Sequence, residues 1–211
     1  MLTRLKERIQ QLIIGQARFA HNIGLTPNQI SLLGMLAAYF SAYLYWSSQS
    51  NDATLVGAAG LLLISGFLDA LDGVVARAYG KVTLFGGFLD SLLDRYADSL
   101  VLTGIILGWL AEGSPLWLLA GLFAVLGSLL VSYSRARAEA AGVKMETVGL
   151  AERAERIIII VFASFLTLFW RDALRWGIVL LAVLTNLTVI QRIIYFKKAS
   201  RKKEASTTPV I

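Results

Sequence analysis

Residues 68–99 read LDALDGVVARAYGKVTLFGGFLDSLLDRYADS, and this stretch decides the fold. It sets Asp69, Asp72, Asp90, Asp94 and Asp98, five of the chain's fourteen acids, into two otherwise apolar runs. Each run continues into a longer apolar flank, LVGAAGLLLISGF over 55–67 and LVLTGIILGWL over 100–110. With its flank, each is long enough for a membrane helix, which needs ~20 mostly apolar residues. A carboxylate at the centre of such a helix costs roughly 2.5–3.5 kcal/mol. A cluster of them therefore calls for a cation or water to compensate it.

The rest of the chain agrees. Of its 211 residues, 56% are hydrophobic and 16% charged, with a mean hydropathy of +0.65. Soluble domains run at ~45–50% apolar and ~25% charged, so composition excludes both a water-soluble globule and a disordered chain. No stretch shows the alternating polarity of a membrane β-strand. The absence of Cys removes disulfides, thiolate metal sites and Cys nucleophiles. The expected fold is an all-α integral membrane protein, a six-transmembrane-helix bundle. Its spans fall near 28–49, 53–77, 84–111, 115–138, 150–170 and 173–196. Residues 1–25 are expected as an amphipathic juxtamembrane surface helix, since Leu2, Leu5, Ile9, Leu12, Ile13 and Phe19 recur at helical spacing among Arg4, Lys6, Arg8 and Arg18. Thr26-Pro27-Asn28-Gln29 reads as a capped helix start. The core domain covers 26–196, and 197–211 is expected as a basic, disordered cytoplasmic tail.

Charge sets the orientation. Eighteen of the twenty Lys and Arg residues fall on one side of these spans, leaving Arg171 and Arg175 on the other. The positive-inside rule then places both termini in the cytoplasm of a multi-pass cell-membrane protein. A net charge of +6 in so apolar a chain points to anionic lipid or phosphate partners and away from nucleic acid.

The acids have a pattern. Asp69 and Asp72 are three apart, Asp90 and Asp94 four apart, so each pair shares a helix face. A short turn joins the two helices at the cytoplasmic side, and all four carboxylates lie within ~15 Å of it. Clustered carboxylate oxygens suit Mg²⁺, Mn²⁺ or Ca²⁺. Gly73 directly follows Asp72, Gly86, Asp90 and Asp94 repeat every four residues along one face, and glycine on such a stripe lets a flat group approach the backbone. Arg77 sits at the same level and suits a phosphate. Together they read as a metal–diphosphate site at the membrane boundary.

The spacing Asp69-x-x-Asp72-Gly73-x-x-Ala76-Arg77, eight residues, then Gly86-x-x-x-Asp90-x-x-x-Asp94 resembles the signature of the CDP-alcohol phosphotransferases, with all eight fixed positions present. The Thr26-Pro27-Asn28 helix entry and the six-span layout resemble that family too. The resemblance implies transfer of a phosphoalcohol from a CDP-alcohol to an acceptor alcohol, with release of CMP. It also implies two Mg²⁺ ions (or Mn²⁺) on Asp69, Asp72, Asp90 and Asp94, with Asp94 also the general base. CDP would be cradled by Asn28, Asp69, Asp72, Gly73, Ala76, Arg77 and Gly86. A homodimer is implied as well.

A second cluster bears on the acceptor. SYSRARAEAAG (132–142) and GLAERAERIIII (149–160) bring Arg135, Arg137, Arg153 and Arg156 to the cytoplasmic side, and Arg192 ends the last span there. Arginine forks hold phosphate well. These stretches resemble the branch of the family that makes phosphatidylinositol phosphate, or its archaeal ether-lipid counterpart. The expected substrates are therefore CDP-diacylglycerol or CDP-archaeol and inositol phosphate. Glycerol 3-phosphate, in the manner of phosphatidylglycerophosphate synthases, is the alternative acceptor.

Blander readings compete. Arg153 and Arg156 could pair with Glu152 and Glu155; Asp98, outside the signature, could be a structural hydrogen-bonding group or part of a polar lining. Gly104-x-x-x-Gly108 could pack one span against another. Tyr45, Trp46, Trp117 and Trp170 read as interfacial belts, and His21 as an interfacial side chain. A prenyltransferase would need a larger bundle with two separated Asp motifs. A cation transporter would show repeats or broken helices near the midplane, and neither is evident.

Overall fold

The computed structural model describes residues 14–48, 51–110, 113–145 and 148–207, with side chains as far as Arg201. Among the described residues there are seven helices and no strand. α1 covers 14–22, α2 Pro27–Ser47, α3 Asp52–Ala78, α4 Leu84–Leu110, α5 Pro115–Ala140, α6 Arg153–Leu166 and α7 Ala173–Thr207. Helix ends lie within two residues of the expected spans except at α6 and at the end of α7.

Local chemistry sets these ends. The Gln29 N–H donates to Thr26 Oγ1 and the Thr26 N–H to Gln29 Oε1, at 3.3 and 2.9 Å, with Pro27 at the first helical position. This is the capping box expected for α2. Asn51 caps α3 through the Ala53 N–H. Between α3 and α4 the chain reverses through Gly80 at φ +62°, a conformation glycine adopts without a Cβ penalty.

The helices close into a ring: α2 packs on α3 and α4, α4 on α5, α5 on α7, α7 on α6, and α6 on α3. Helices α3 and α4, joined by the turn, pack on α2 rather than along one another. Small residues allow that packing. A Cβ on Gly104 would lie 2.2 Å from the Ala42 carbonyl oxygen, and one on Gly108 2.9 Å from that of Tyr45. The Gly104/Gly108 pair is thus the seat of α2 on α4. Tyr45 is not an interfacial residue: it is buried, with its hydroxyl 2.8 Å from Ser164 Oγ. The remaining interior is apolar, centred on Ala58, Leu62, Val101, Ile105, Ile178 and Leu181.

Among the described residues, four helices are long and apolar enough to cross a membrane: α2, α3, α5, and α7 over Ala173–Arg201. α4 has the length but carries Asp90, Asp94, Arg95 and Asp98. α6, expected over 150–170, has only 14 residues, ~21 Å, before a turn at 167–170. α7 continues to Thr207, so the basic stretch 197–207 is helix rather than the disordered tail expected; its Lys, Arg, Ala and Glu residues are good helix formers. Residues 208–211 lie outside the described residues. So does most of the expected surface helix, residues 1–13. Its described end, α1, buries Ala17 and Ala20 against Ile30, Leu71 and Val75. His21 stacks on Tyr79 with ring centroids 3.7 Å apart, in a packing role.

Candidate active site

The acidic faces of α3 and α4 meet beside the α3–α4 turn. Asp69, Asp72 and Asp90 each place a carboxylate oxygen so that the three lie within 4.8 Å of one another. Three carboxylates this close repel strongly unless a cation joins them. Hard oxygen donors converging from two helices fit a divalent ion of the Mg²⁺ or Mn²⁺ kind. Ser31 of α2 completes the group by donating to Asp72 Oδ2 at 2.5 Å. Nothing in the acidic motif announces Ser31; the signal lay in its position one turn into the capped helix, and only the packing of α2 gave it meaning.

Asp94 stands slightly apart from this trio. Its Oδ1 lies 2.6 Å from Arg153 Nη1, and the same Nη1 is paired with Asp69. Arg95 approaches Asp94 at 3.6 Å. Asp98, one turn further along α4, pairs with Arg153 Nε at 3.5 Å and Arg156 Nη2 at 2.5 Å. The expected bland partners of these arginines, Glu152 and Glu155, are not the ones they meet. Both guanidinium groups face the aspartates because α6 packs on α3 with its first turn at carboxylate level.

The carboxylates form the wall between two cavities. The first, about 280 Å³, is lined by Asn28, Ser31, Asp72, Gly73, Ala76, Arg77, Lys81, Thr83, Gly86 and Asp90, among others. Six of the seven residues expected to cradle CDP line this cavity; the seventh, Asp69, faces the other side. The glycines matter here. A Cβ on Gly86 would come within 2.9 Å of Thr83 Oγ1 and 3.1 Å of Asn28 Oδ1, and one on Gly73 would come 3.1 Å from Arg77 Nη1. Thr83 Oγ1 also accepts from the Gly86 N–H at 2.9 Å. Lys81 and Thr83 were not expected; both lie in the turn, where helical spacing carries no information.

The second cavity, about 350 Å³, is lined by Asp69, Asp94, Arg95, Ser132, Arg135, Glu152, Arg153, Arg156 and Arg192, among others. Four of the five expected acceptor arginines meet there. Arg137 does not. It follows Arg135 by two positions, about 200° around α5, and its side chain is exposed outside the cavity. Arg192 is 2% exposed and donates to the carbonyls of Val131 and Val148, the latter at 2.8 Å. It ties α7 to α5 and to the α5–α6 connection while lining the cavity. Arg135 is held by Glu139 at 2.9 Å.

Known proteins share this architecture. The sequence profile described as CDP-alcohol phosphatidyltransferase matches residues 24–190. The chain is 39% identical to the archaetidylinositol phosphate synthase of Pyrococcus horikoshii over 198 residues, covering 94% of this chain and 97% of that one. It is 45% identical to the archaetidylinositol phosphate synthase of Methanothermobacter thermautotrophicus over 180 residues, covering 83% and 85%. Among solved structures it resembles Mycobacterium tuberculosis phosphatidylinositol phosphate synthase with CDP-DAG bound, at 32% identity and a TM-score of 0.78, covering 88% of this chain and 94% of that one. The same enzyme in complex with manganese and citrate gives 33% identity and a TM-score of 0.76, covering 87% and 88%. The profile spans all four aspartates and the whole first cavity, the relatives cover most of the chain, and on these grounds the chain belongs to the CDP-alcohol phosphatidyltransferase family and is an enzyme of that class.

Proposed function

We propose that the chain transfers a phosphatidyl- or archaetidyl-type group from a CDP-lipid to a hydroxyl of inositol phosphate, releasing CMP. One observation carries the reading. Asp72 and Asp90 face a glycine-lined cavity, Asp69 and Asp94 face an arginine-lined one, and the two cavities meet at the carboxylates. A donor diphosphate in the first and a phosphorylated acceptor in the second would bring phosphorus and hydroxyl to the same wall. The names of the relatives support the same substrate pair.

Asp69, Asp72, Asp90 and Asp94 would hold two Mg²⁺ ions, or Mn²⁺. When bound, these supply charge neutralisation for the diphosphate and the leaving CMP. The protein groups do the rest. Gly73 and Gly86 leave the first cavity free of side chains where the nucleotide lies flat, and Asn28 and Ala76 complete its floor. Arg77 and Lys81 add positive charge for the diphosphate, and Ser31 fixes the Asp72 carboxylate. In the second cavity Arg135, Arg153, Arg156 and Arg192 hold the acceptor phosphate. Asp94 takes the proton of the acceptor hydroxyl as its oxygen bonds to the lipid-bearing phosphorus and the P–O bond to CMP breaks.

The six-span bundle belongs to the same proposal. The closed ring supports α4 and α6 as additional crossings, with the α4 acids turned to the site. The one-sided Lys and Arg distribution supports cytoplasmic termini and a cytoplasmic site in the cell membrane. The N-terminal surface helix and the homodimer rest on the resemblance, and the mass of the purified particle in detergent reads the latter.

The test is an acceptor screen. Purified protein receives CDP-lipid and Mg²⁺ with inositol phosphate, glycerol 3-phosphate, serine or free inositol, and CMP release is measured. Preference for inositol phosphate over free inositol and serine is expected. Preference for glycerol 3-phosphate would overturn the acceptor assignment and leave the transferase intact.

A further inference from the structure

Asp98 lies outside the family signature and outside the carboxylate trio, yet it touches both arginines of α6. One oxygen meets Arg153 Nε at 3.5 Å and the other Arg156 Nη2 at 2.5 Å. Its side chain is 13% exposed, and that of Arg156 5%. The far edge of Arg156 is fixed as well, with Nη1 donating to the Ala151 carbonyl at 3.2 Å. Arg153 is placed differently. Its Nη1 sits between Asp69 and Asp94, two of the proposed metal ligands, while Asp98 holds the Nε side. A single guanidinium thus spans three carboxylates, two of which a divalent ion would claim. When Asp69 and Asp94 turn to a metal, Asp98 is the anion left to keep Arg153 in the cavity.

We propose that Asp98 is a positioning residue: it aims Arg153 and Arg156 at the acceptor phosphate and draws Arg153 off Asp69 and Asp94, so that these carboxylates are free for a divalent cation. The acceptor half rests on the acceptor reading given above; the metal half does not. Without Asp98, Arg153 settles fully on Asp69 and Asp94 and competes with the metal. Metal binding and acceptor binding are then coupled through one side chain whose balance Asp98 sets.

The experiment is a double-mutant cycle on the purified full-length protein in detergent. Wild type, Asp98→Asn, Arg153→Gln and the double variant are titrated with Mn²⁺ alone, with free Mn²⁺ read by electron paramagnetic resonance. Asp98→Asn is expected to weaken Mn²⁺ binding roughly tenfold, within the usual coupling between contacting residues, and this loss disappears in the Arg153→Gln background. Arg153→Gln alone binds Mn²⁺ more tightly than wild type, because the competing cation is gone. In turnover at saturating Mg²⁺, Asp98→Asn raises the acceptor KM and spares kcat and the CDP-lipid KM, while Asp98→Glu recovers most of the acceptor affinity. An equal Mn²⁺ loss from Asp98→Asn in both backgrounds would reduce Asp98 to a plain background charge and overturn the proposal. Unchanged or weaker Mn²⁺ binding in Arg153→Gln would overturn it without any change at Asp98. A uniform loss of kcat and both KM values, not rescued by Glu, would make Asp98 merely structural. If wild type ignores inositol phosphate, the acceptor reading falls, and the acceptor-free Mn²⁺ cycle still decides Asp98.

Discussion

The two cavities share a wall of carboxylates and differ in how their residues are strung along the chain. The first is built from two short stretches, 27–31 and 72–90, on α2, α3, the α3–α4 turn and the start of α4. The second collects residues from 69, 94–95, 131–135, 152–156 and 192, on α3, α4, α5, α6 and α7. Most of the glycine-lined cavity can be written into the α3–α4 hairpin because its glycines, acids and arginine stand at fixed spacing there, and α2 adds Pro27, Asn28 and Ser31. The arginine-lined cavity cannot, since its guanidinium groups arrive on α5, α6 and α7 and their neighbours depend on how the ring closes. The first cavity is therefore set largely by spacing along the hairpin, the second by assembly.

Substitutions can break or sharpen that contrast. The largest effect is expected at the shared wall. Asp72→Asn and Asp90→Asn should each abolish metal-dependent CMP release in a protein that still folds, because loss of a metal ligand removes several kcal/mol of transition-state stabilisation. Near-normal turnover in both variants would dismantle the metal reading. Next comes Asp94→Asn, which should lower kcat by ~10²–10⁴, the usual range for a positioned base, with CDP-lipid binding close to wild type. A variant that lost affinity and kept its maximal rate would make Asp94 a ligand only.

On the arginine side, Arg153→Ala should raise the acceptor KM by roughly 10–100-fold, as expected for hydrogen bonds to a charged group, and leave the CDP-lipid KM nearly alone. Arg156→Ala should do the same and also lower the melting temperature, since it strips Asp98 of its closest partner. On the nucleotide side the mirror image is Gly86→Ala. Its Cβ crowds Thr83 and Asn28, so the CDP-lipid KM should rise roughly five- to tenfold, in line with the cost of overpacking, while the acceptor KM holds. If both KM values moved together in either variant, the division into two cavities would fail. The smallest effect is expected at Arg137→Ala, which should stay near wild type in both KM values because its side chain is exposed outside the cavity. A rise in the acceptor KM there would show that general positive charge, rather than the cavity, holds the phosphate.

These contrasts follow what helical periodicity can and cannot carry. Which residues share a helix face is a local matter of 3.6 residues per turn. The sequence alone was therefore enough to put Asp69 beside Asp72 and Asp90 beside Asp94, to start α2 at the Thr26–Gln29 capping box, and to set Gly73 next to Asp72 and Gly86 one turn before Asp90. The apolar runs likewise marked six helices, because the length and apolar composition of a run are read along the chain without reference to any neighbour. What each face meets is a different question, answered by packing. Gly104 and Gly108 let α2 pack on α4 as well as α3, and that packing delivers Ser31 to Asp72. The docking of α6 on α3 turns Arg153 and Arg156 toward aspartates rather than the adjacent glutamates. Two positions along α5 separate Arg135, in the cavity, from Arg137, outside it. Asp98 had no motif to declare it and acquired two arginine partners only when the ring closed. Spacing along one helix fixes direction; only contact between helices fixes the partner.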